Sequence, residues 1–457
     1  MWARPLACRR PIPGRPYVAY DNGPWEAMED AARQTRLFSS EGRVEQVLGL
    51  VVEGRGLKAG IGSLVTILAS SGRALAGEVV GFREGRVVIM PYGDIAGVCE
   101  GDRIRLSESE PAASVGDGFL GRVVDGLGHP IDGKGPLGPC VDYPLYGKPI
   151  NPMQRRAVDE FLDVGISAIN LMTPVGRGQR VAIMAGSGVG KSVLMGMMTR
   201  YTEAEVVIIG LIGERGREVK DFVDKTLGKE GLERAVVVAA TSDSPPLVRM
   251  RGAYQATALA EYFRDQGKDV LLIIDSITRF AMSSRDVGLS AGEAPTNRGY
   301  TSSFFVKIPV LLERAGAVEG KGSITGFYTT LVEGDDMNDP VGDTVRSIVD
   351  GHIVLSRDLA NRGHYPAIEV LGSVSRVASD VVGPEHLALR SRLQGLMSTY
   401  RQSEDMIAIG AYNQGSNAQI DEAIALKPKI DDLLRQNVEM KCSYGVSLNR
   451  LKALFMA

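Results

Sequence analysis

The sequence predicts an α/β protein: a parallel sheet covered by helices, preceded by a small β-barrel and followed by a helical domain. Three observations predict it. Short runs of period two, punctuated by glycine, fill residues 43–106. From 107 to 384, continuous apolar runs alternate with helical stretches, the pattern of strands buried on both faces. After 385 the strand runs stop and helix punctuation takes over.

Composition sets the limits. The chain has 457 residues, 44% hydrophobic and 23% charged, enough for two to four domains with their own cores. A net charge of −3 provides no whole-chain field for nucleic acid or a membrane surface. Cys8, Cys99, Cys140 and Cys442 lie far apart, which suggests neither a zinc site nor a disulfide framework. The longest apolar runs, such as VVIIGLI at 206–212, are far shorter than a membrane span, and no signal-peptide pattern opens the chain. A soluble, cytoplasmic protein is expected.

The elements follow in order. Residues 1–16 hold four arginines, four prolines and no acid, so residues 1–42 are expected to be a partly disordered extension. Within it Trp25, Met28, Ala32 and Phe38 would share one side of a short helix, either a docking helix or a frayed tail. RVEQVLGLVVE, SLVTILA, ALAGEVVGFRE, RVVIMPY and DRIRL then read as barrel strands. Phe82 and Tyr92 are the only aromatics there, too few to stack single-stranded nucleic acid. GDGFLGRVVDGLGHPIDGKGP, 116–136, reads as a turn-rich lead-in to the 107–384 domain. VAIM, VVIIGLI, AVVVAA, VLLIID, ITGFYTTL and GHIVLS are its strands. In 385–457, Ser416 and Gln419 predict a capping box, and Pro428 predicts the start of a further helix.

The chemistry concentrates at strand ends. AGSGVGKS, 185–192, lies between the strand VAIM and a helix, the setting a phosphate-binding loop requires. Gly186, Gly188 and Gly190 let backbone N–H groups curl inward, with Ser187, Val189 and Val193 completing the loop. Lys191 reaches the β- and γ-phosphates, and the Ser192 hydroxyl suits Mg²⁺. Asp275 ends VLLIID at the edge where open sheets bind ligands, a second place for the metal. GERGREV, 213–219, follows VVIIGLI, so Glu214 or Glu218 could polarise an attacking water, and Arg215 could contact the γ-phosphate. Together these residues predict Mg²⁺-dependent ATP hydrolysis. The four histidines share no ligand spacing.

AGSGVGKS, GERGREV, LLERAG (311–316), GSIT (322–325) and SVSR (373–376), in this order, resemble the catalytic subunits of rotary ATPases. LVEGDDMNDPVGDTVRSIVDGHIVLSR, 331–357, is similar to the type III protein-export branch, and IGAYNQGSNAQIDEAI, 409–424, to its flagellar members. The resemblance implies a RecA-like P-loop ATPase core and a homohexamer with nucleotide between subunits. It makes Glu214 the water-activating acid. Arg376 would be an arginine finger reaching the neighbour's nucleotide, and Tyr365 would stack on adenine. The implied setting is cytoplasmic, peripheral to the inner membrane at the flagellar base. The implied partners are a stator/regulator protein at the N-terminus, a central stalk protein, the export gate and substrate–chaperone complexes. A virulence secretion ATPase, an ATP synthase subunit, an RNA translocase and a non-catalytic nucleotide-binding subunit are the competing readings.

Deleting residues 1–40 is expected to leave ATP hydrolysis intact and to abolish binding of the regulator. A pulldown with full-length and truncated chains checks this; equal retention returns the segment to a frayed tail.

Overall fold

The computed structural model describes residues 40–107, 110–332 and 339–456. The expectations for the N-terminal extension and its docking helix lie outside the described residues.

Period-two alternation turns every second side chain inward, and six strands close on themselves. They are Glu41–Leu48, Val51–Arg55, Leu64–Leu68, Ala74–Arg83, Arg86–Pro91 and Arg103–Leu106, the first pairing with both the second and the last. RVEQVLGLVVE, unbroken in sequence, splits at Gly49, whose φ of +56° turns the chain. Val44, Val52, Ile67, Val79, Ile89 and Ile104 fill the interior.

The central sheet runs from edge to edge as Val374–Ser375, Gly351–Leu355, Arg180–Ala185, Ser323–Leu331, Asp269–Asp275, Val206–Ile212, Ala235–Ala240 and Val123–Asp125. Every neighbouring pair is parallel except the first, and a short antiparallel Gly316–Ala317 joins Ser323–Leu331. Val206–Ile212 and Ala235–Ala240 are buried at every position, as coverage of both faces demands. The expected turn-rich lead-in holds a strand: Val123–Asp125 pairs with Ala235–Ala240 and ends the sheet. Three residues between glycine turns are too short to show a period.

The helical region contains Pro384–Ala408, Ala418–Leu434 and Tyr444–Met456. Two local expectations are corrected there. The cap of the second helix is Asn417, not Ser416: its side-chain oxygen accepts from the N–H groups of Gln419 (2.9 Å) and Ile420 (3.4 Å). Ser416 instead donates back to the carbonyl of Asn413 at 2.7 Å. Pro428 does not start a helix; it lies inside Ala418–Leu434. An interior proline costs about 3 kcal/mol. The burial of Ile430, Leu433 and Leu434 just beyond it contributes about 1.5–3 kcal/mol each, so packing wins.

A buried polar cluster joins the barrel to the sheet domain. Glu78, on the strand Ala74–Arg83, accepts from Arg251 Nη1 (3.1 Å) and Tyr92 Oη (3.0 Å) at Oε2, and from Tyr146 Oη (2.9 Å) at Oε1. Arg251 belongs to the helix Pro246–Asp265, and its guanidinium lies 5.0 Å above the Tyr92 ring. Burial pushes the Glu78 carboxyl above its ordinary pKa, against the pull of Arg251. Tyr92, one of the barrel's two aromatics, is thus a domain joint.

Glu78→Ala would leave Arg251 buried without a counter-charge. It is expected to cost about 3–5 kcal/mol of stability, read as a lowered urea midpoint.

Candidate active site

The strand Arg180–Ala185 delivers the phosphate loop at the carboxyl edge of the sheet, and the helix Lys191–Tyr201 leaves from it. Gly188 (φ +78°) and Gly190 (φ +90°) adopt left-handed backbone that a side chain would strain. The loop lines an open cleft of ≈ 670 Å³ through Gly186, Ser187, Gly188, Gly190, Lys191, Ser192 and Val193. The Val189 side chain is turned into the core, so only its backbone is available to a ligand.

At the base of the cleft Lys191 Nζ meets Asp275 Oδ1 and lies 3.6 Å from Glu214 Oε1. Strand register brings the two acids together: Leu211 pairs with Asp275, so Glu214 emerges beside it. Asp275 is only 2% exposed, and Thr329 Oγ1 donates to its Oδ1 at 2.6 Å. Burial, then the charge of Asp275, push the Glu214 carboxyl up to about 7, against Lys191. Glu218 lines the same cleft and adds to the upward push on Glu214. Of the two candidate bases, Glu214 is therefore the one against Lys191. Arg215 projects at the rim, 82% exposed and 3.8 Å from Glu218.

Tyr365 packs beside the loop, its ring 3.4 Å from where a Cβ on Gly190 would stand. Arg376 does not line the cleft. It follows Val374–Ser375, and Ser375 pairs with Gly351 at the amino edge of the sheet, opposite the phosphate loop.

Sequence reasoning missed Arg279, Arg357 and Thr329. Arg279 and Arg357 line the cleft. Arg279 lies in the first turn of Ile277–Ala291, and its buried Nε has no hydrogen-bond partner among the described residues. A cation at the positive end of a helix is electrostatically disfavoured, and that was the available signal. Thr329 was legible only as a hydroxyl near the end of an apolar strand.

Ser192 and Asp275 border one small cavity under the loop, together with Glu214. This oxygen donor set fits Mg²⁺, which takes one or two protein oxygens and completes its shell with water and substrate phosphates. There it would neutralise charge on the phosphate oxygens.

The nucleotide-binding domain of the ATP synthase alpha/beta family matches residues 165–375, and the beta-barrel domain of that family matches 44–107. The C-terminal domain of the T3SS EscN ATPase matches 382–453. The flagellum-specific ATP synthase of Bacillus subtilis is 47% identical over 433 residues, 94% of this chain and 98% of that protein. The chain belongs to the flagellar protein-export ATPases. The flagellum-specific ATP synthase of Salmonella typhimurium is 45% identical, covering 91% of this chain and 93% of its own. Among solved structures, the assembled ATPase EscN of the enteropathogenic E. coli type III secretion system matches with a TM-score of 0.86 at 41% identity. It covers 90% of this chain and 99% of that one. EscN in complex with its central stalk EscO matches at 0.83 and 40% identity. The export ATPase thus carries the expected barrel, RecA-like core and helical domain, and its reaction is ATP hydrolysis. Among the described residues no helix is long and apolar enough to cross a membrane.

Lys191→Ala is expected to abolish hydrolysis in a phosphate-release assay. Glu214→Gln should retain nucleotide binding and lower turnover by about 10². A base at Glu214 acts only when ionised, so with Glu214 in that role wild-type kcat/KM should fall as pH drops through about 7. The glutamine variant should lose that acid limb; normal turnover in Glu214→Gln would transfer the base role to Glu218.

Proposed function

We propose that this export ATPase works as a homohexameric ring that couples ATP hydrolysis to release, unfolding and delivery of flagellar export substrates. The separation of Arg376 from its own chain's phosphate loop carries this reading. The two occupy opposite edges of one sheet, so Arg376 is placed to serve a neighbour's site and not its own. EscN, a relative of similar architecture, was determined in assembled form.

In that ring Lys191 holds the β- and γ-phosphates, and loop N–H groups cradle their oxygens. Ser192 and Asp275 would hold Mg²⁺, which would offset charge on the phosphate oxygens. Tyr365 stacks on the adenine. Glu214 orients a water and takes its proton as the oxygen bonds to the γ-phosphorus and the bond to the ADP oxygen breaks. Arg376 of the neighbour offsets charge on the transferring group, with Arg215 a second cation at the rim. The same reading gives the protein a cytoplasmic place, peripheral to the inner membrane at the flagellar base. Its N-terminus binds the stator/regulator. The ring meets a central stalk protein, as EscN meets EscO, together with the export gate and substrate–chaperone complexes. A virulence secretion ATPase is the second reading, favoured by the EscN matches. Identities of 42–48% to flagellum-specific proteins overlap the 40–45% to type III secretion ATPases, and the wider match of the former, up to 94% of this chain against at most 90%, supports the flagellar one.

Specific activity is expected to rise with protein concentration as rings form. Mixing Arg376→Ala with Lys191→Ala chains should restore hydrolysis, since some interfaces regain both groups. Constant specific activity on dilution, or no recovery on mixing, would contradict the shared site.

A further inference from the structure

The LLERAG and SVSR motifs meet at the amino edge of the sheet, far from the cleft. Arg180 opens the phosphate-loop strand, and Asp350 immediately precedes the adjacent strand. Arg180 donates to Asp350 from Nε (3.0 Å to Oδ2), from Nη2 (3.0 Å to Oδ1) and from its backbone N–H (3.0 Å to Oδ2). A two-point guanidinium–carboxylate contact fixes orientation as well as charge. The remaining Arg180 Nη1 meets Glu313 Oε1, and Glu313 Oε2 accepts from Arg155 Nη2 at 2.6 Å. Arg155 also donates to the carbonyls of Glu313 (2.5 Å) and Ala315 (3.0 Å). Two arginines and two carboxylates thus alternate in a charge-balanced chain, each side chain at most 36% exposed. None of the four lines the nucleotide cleft.

Arg376 hangs from the end of this chain. Its N–H donates to the Asp350 carbonyl at 2.9 Å. The two preceding serines are fixed as well: Ser375 Oγ donates to the Pro174 carbonyl (2.7 Å), and Ser373 Oγ to the Glu369 carbonyl (2.7 Å). Gln179 Nε2 donates to the same Asp350 carbonyl at 3.3 Å. Gly351 lets the segment approach, because a Cβ there would stand 2.6 Å from the Val374 carbonyl oxygen. The backbone under Arg376 is held from several directions, while its side chain is exposed and makes no ion pair among the described residues.

We infer that the chain Arg155–Glu313–Arg180–Asp350 is a positioning device for Arg376, setting the place from which that arginine reaches the next subunit. The inference rests on the trans role proposed for Arg376. It assigns the glutamate of LLERAG a part in hydrolysis without contact to nucleotide, exercised in the neighbouring site. A displacement of about 1 Å in such a group lowers rates by up to about 10².

Asp350→Asn keeps the shape of the acid and removes the charge that orders Arg180. In assembled protein it should lower kcat about tenfold or more, with KM for ATP within about twofold. The defect should be complementable in trans. Mixed with Lys191→Ala chains, Asp350→Asn should regain activity, because its own phosphate loop is intact and the partner lends a well-placed Arg376. Mixed with Arg376→Ala it should regain none. Glu313→Gln should repeat both results. Wild-type kcat in Asp350→Asn and Glu313→Gln would overturn the inference. So would a loss that Lys191→Ala cannot complement while it does complement Arg376→Ala, or failure of both variants to assemble, which would make the chain a folding element alone. If Arg376→Ala itself is not complemented, the trans role falls first and this inference with it.

Discussion

A lysine ammonium held between two carboxylates at the carboxyl edge of a buried sheet is the contact around which this export ATPase is organised. Lys191 touches Asp275 and approaches Glu214 within 3.6 Å, in a place where water screens little. Removing charged groups from water is costly unless they are matched, and one ammonium matches one carboxylate: Lys191 meets Asp275, while the Glu214 carboxyl is left pushed up to about 7. A parallel sheet brings the three together cheaply. Its strands end together, and neighbouring loops deliver the loop lysine, the strand-end aspartate and the following glutamate to one point. Thr329, from the strand between the loop strand and the aspartate strand, fixes the carboxylate from the side.

The same sheet separates what it brings together from what it keeps apart. Its carboxyl edge carries the phosphate loop with Lys191, Asp275 and Glu214, and its amino edge carries Arg376 beside the Arg180–Asp350 pair. One strand, Arg180–Ala185, begins at that pair and ends at the phosphate loop. A strand is stiff along its axis, so Arg376 is held away from the phosphate loop of its own chain, the separation on which the proposed shared site rests. The barrel is tied to the arrangement through Glu78 and Arg251, on the helix that packs across the sheet.

Much of the fold was legible because both periods were strong. Fully apolar runs such as VVIIGLI admit little besides a doubly covered strand, and glycine-punctuated alternation admits little besides a small barrel. Short or contradictory signals failed. Val123–Asp125 is too brief to show a period, and its strand character comes from Ala235–Ala240 beside it. Pro428 is a local helix starter overruled by the apolar side chains that follow it. Asn417 and Ser416 are both good caps, and the direction of the loop chose between them. In the site, the glycine loop, Lys191, Glu214 and Asp275 were legible because each stands at a strand end. Arg279 and Thr329 were not, because one hydroxyl or one arginine has meaning only once its neighbours are known.

The sequence by itself determined the layers, the phosphate loop and the acids at strand ends, since periodicity and backbone freedom are local properties of the chain. Only the tertiary structure decided that Glu214 rather than Glu218 stands against Lys191. It alone placed Tyr365 against Gly190, and Arg376 across the sheet from its own loop. Those relations depend on strand order and register. Contacts between residues from 23 positions apart, as Lys191 and Glu214, to 175 apart, as Gly190 and Tyr365, set both, and no short window of sequence contains them.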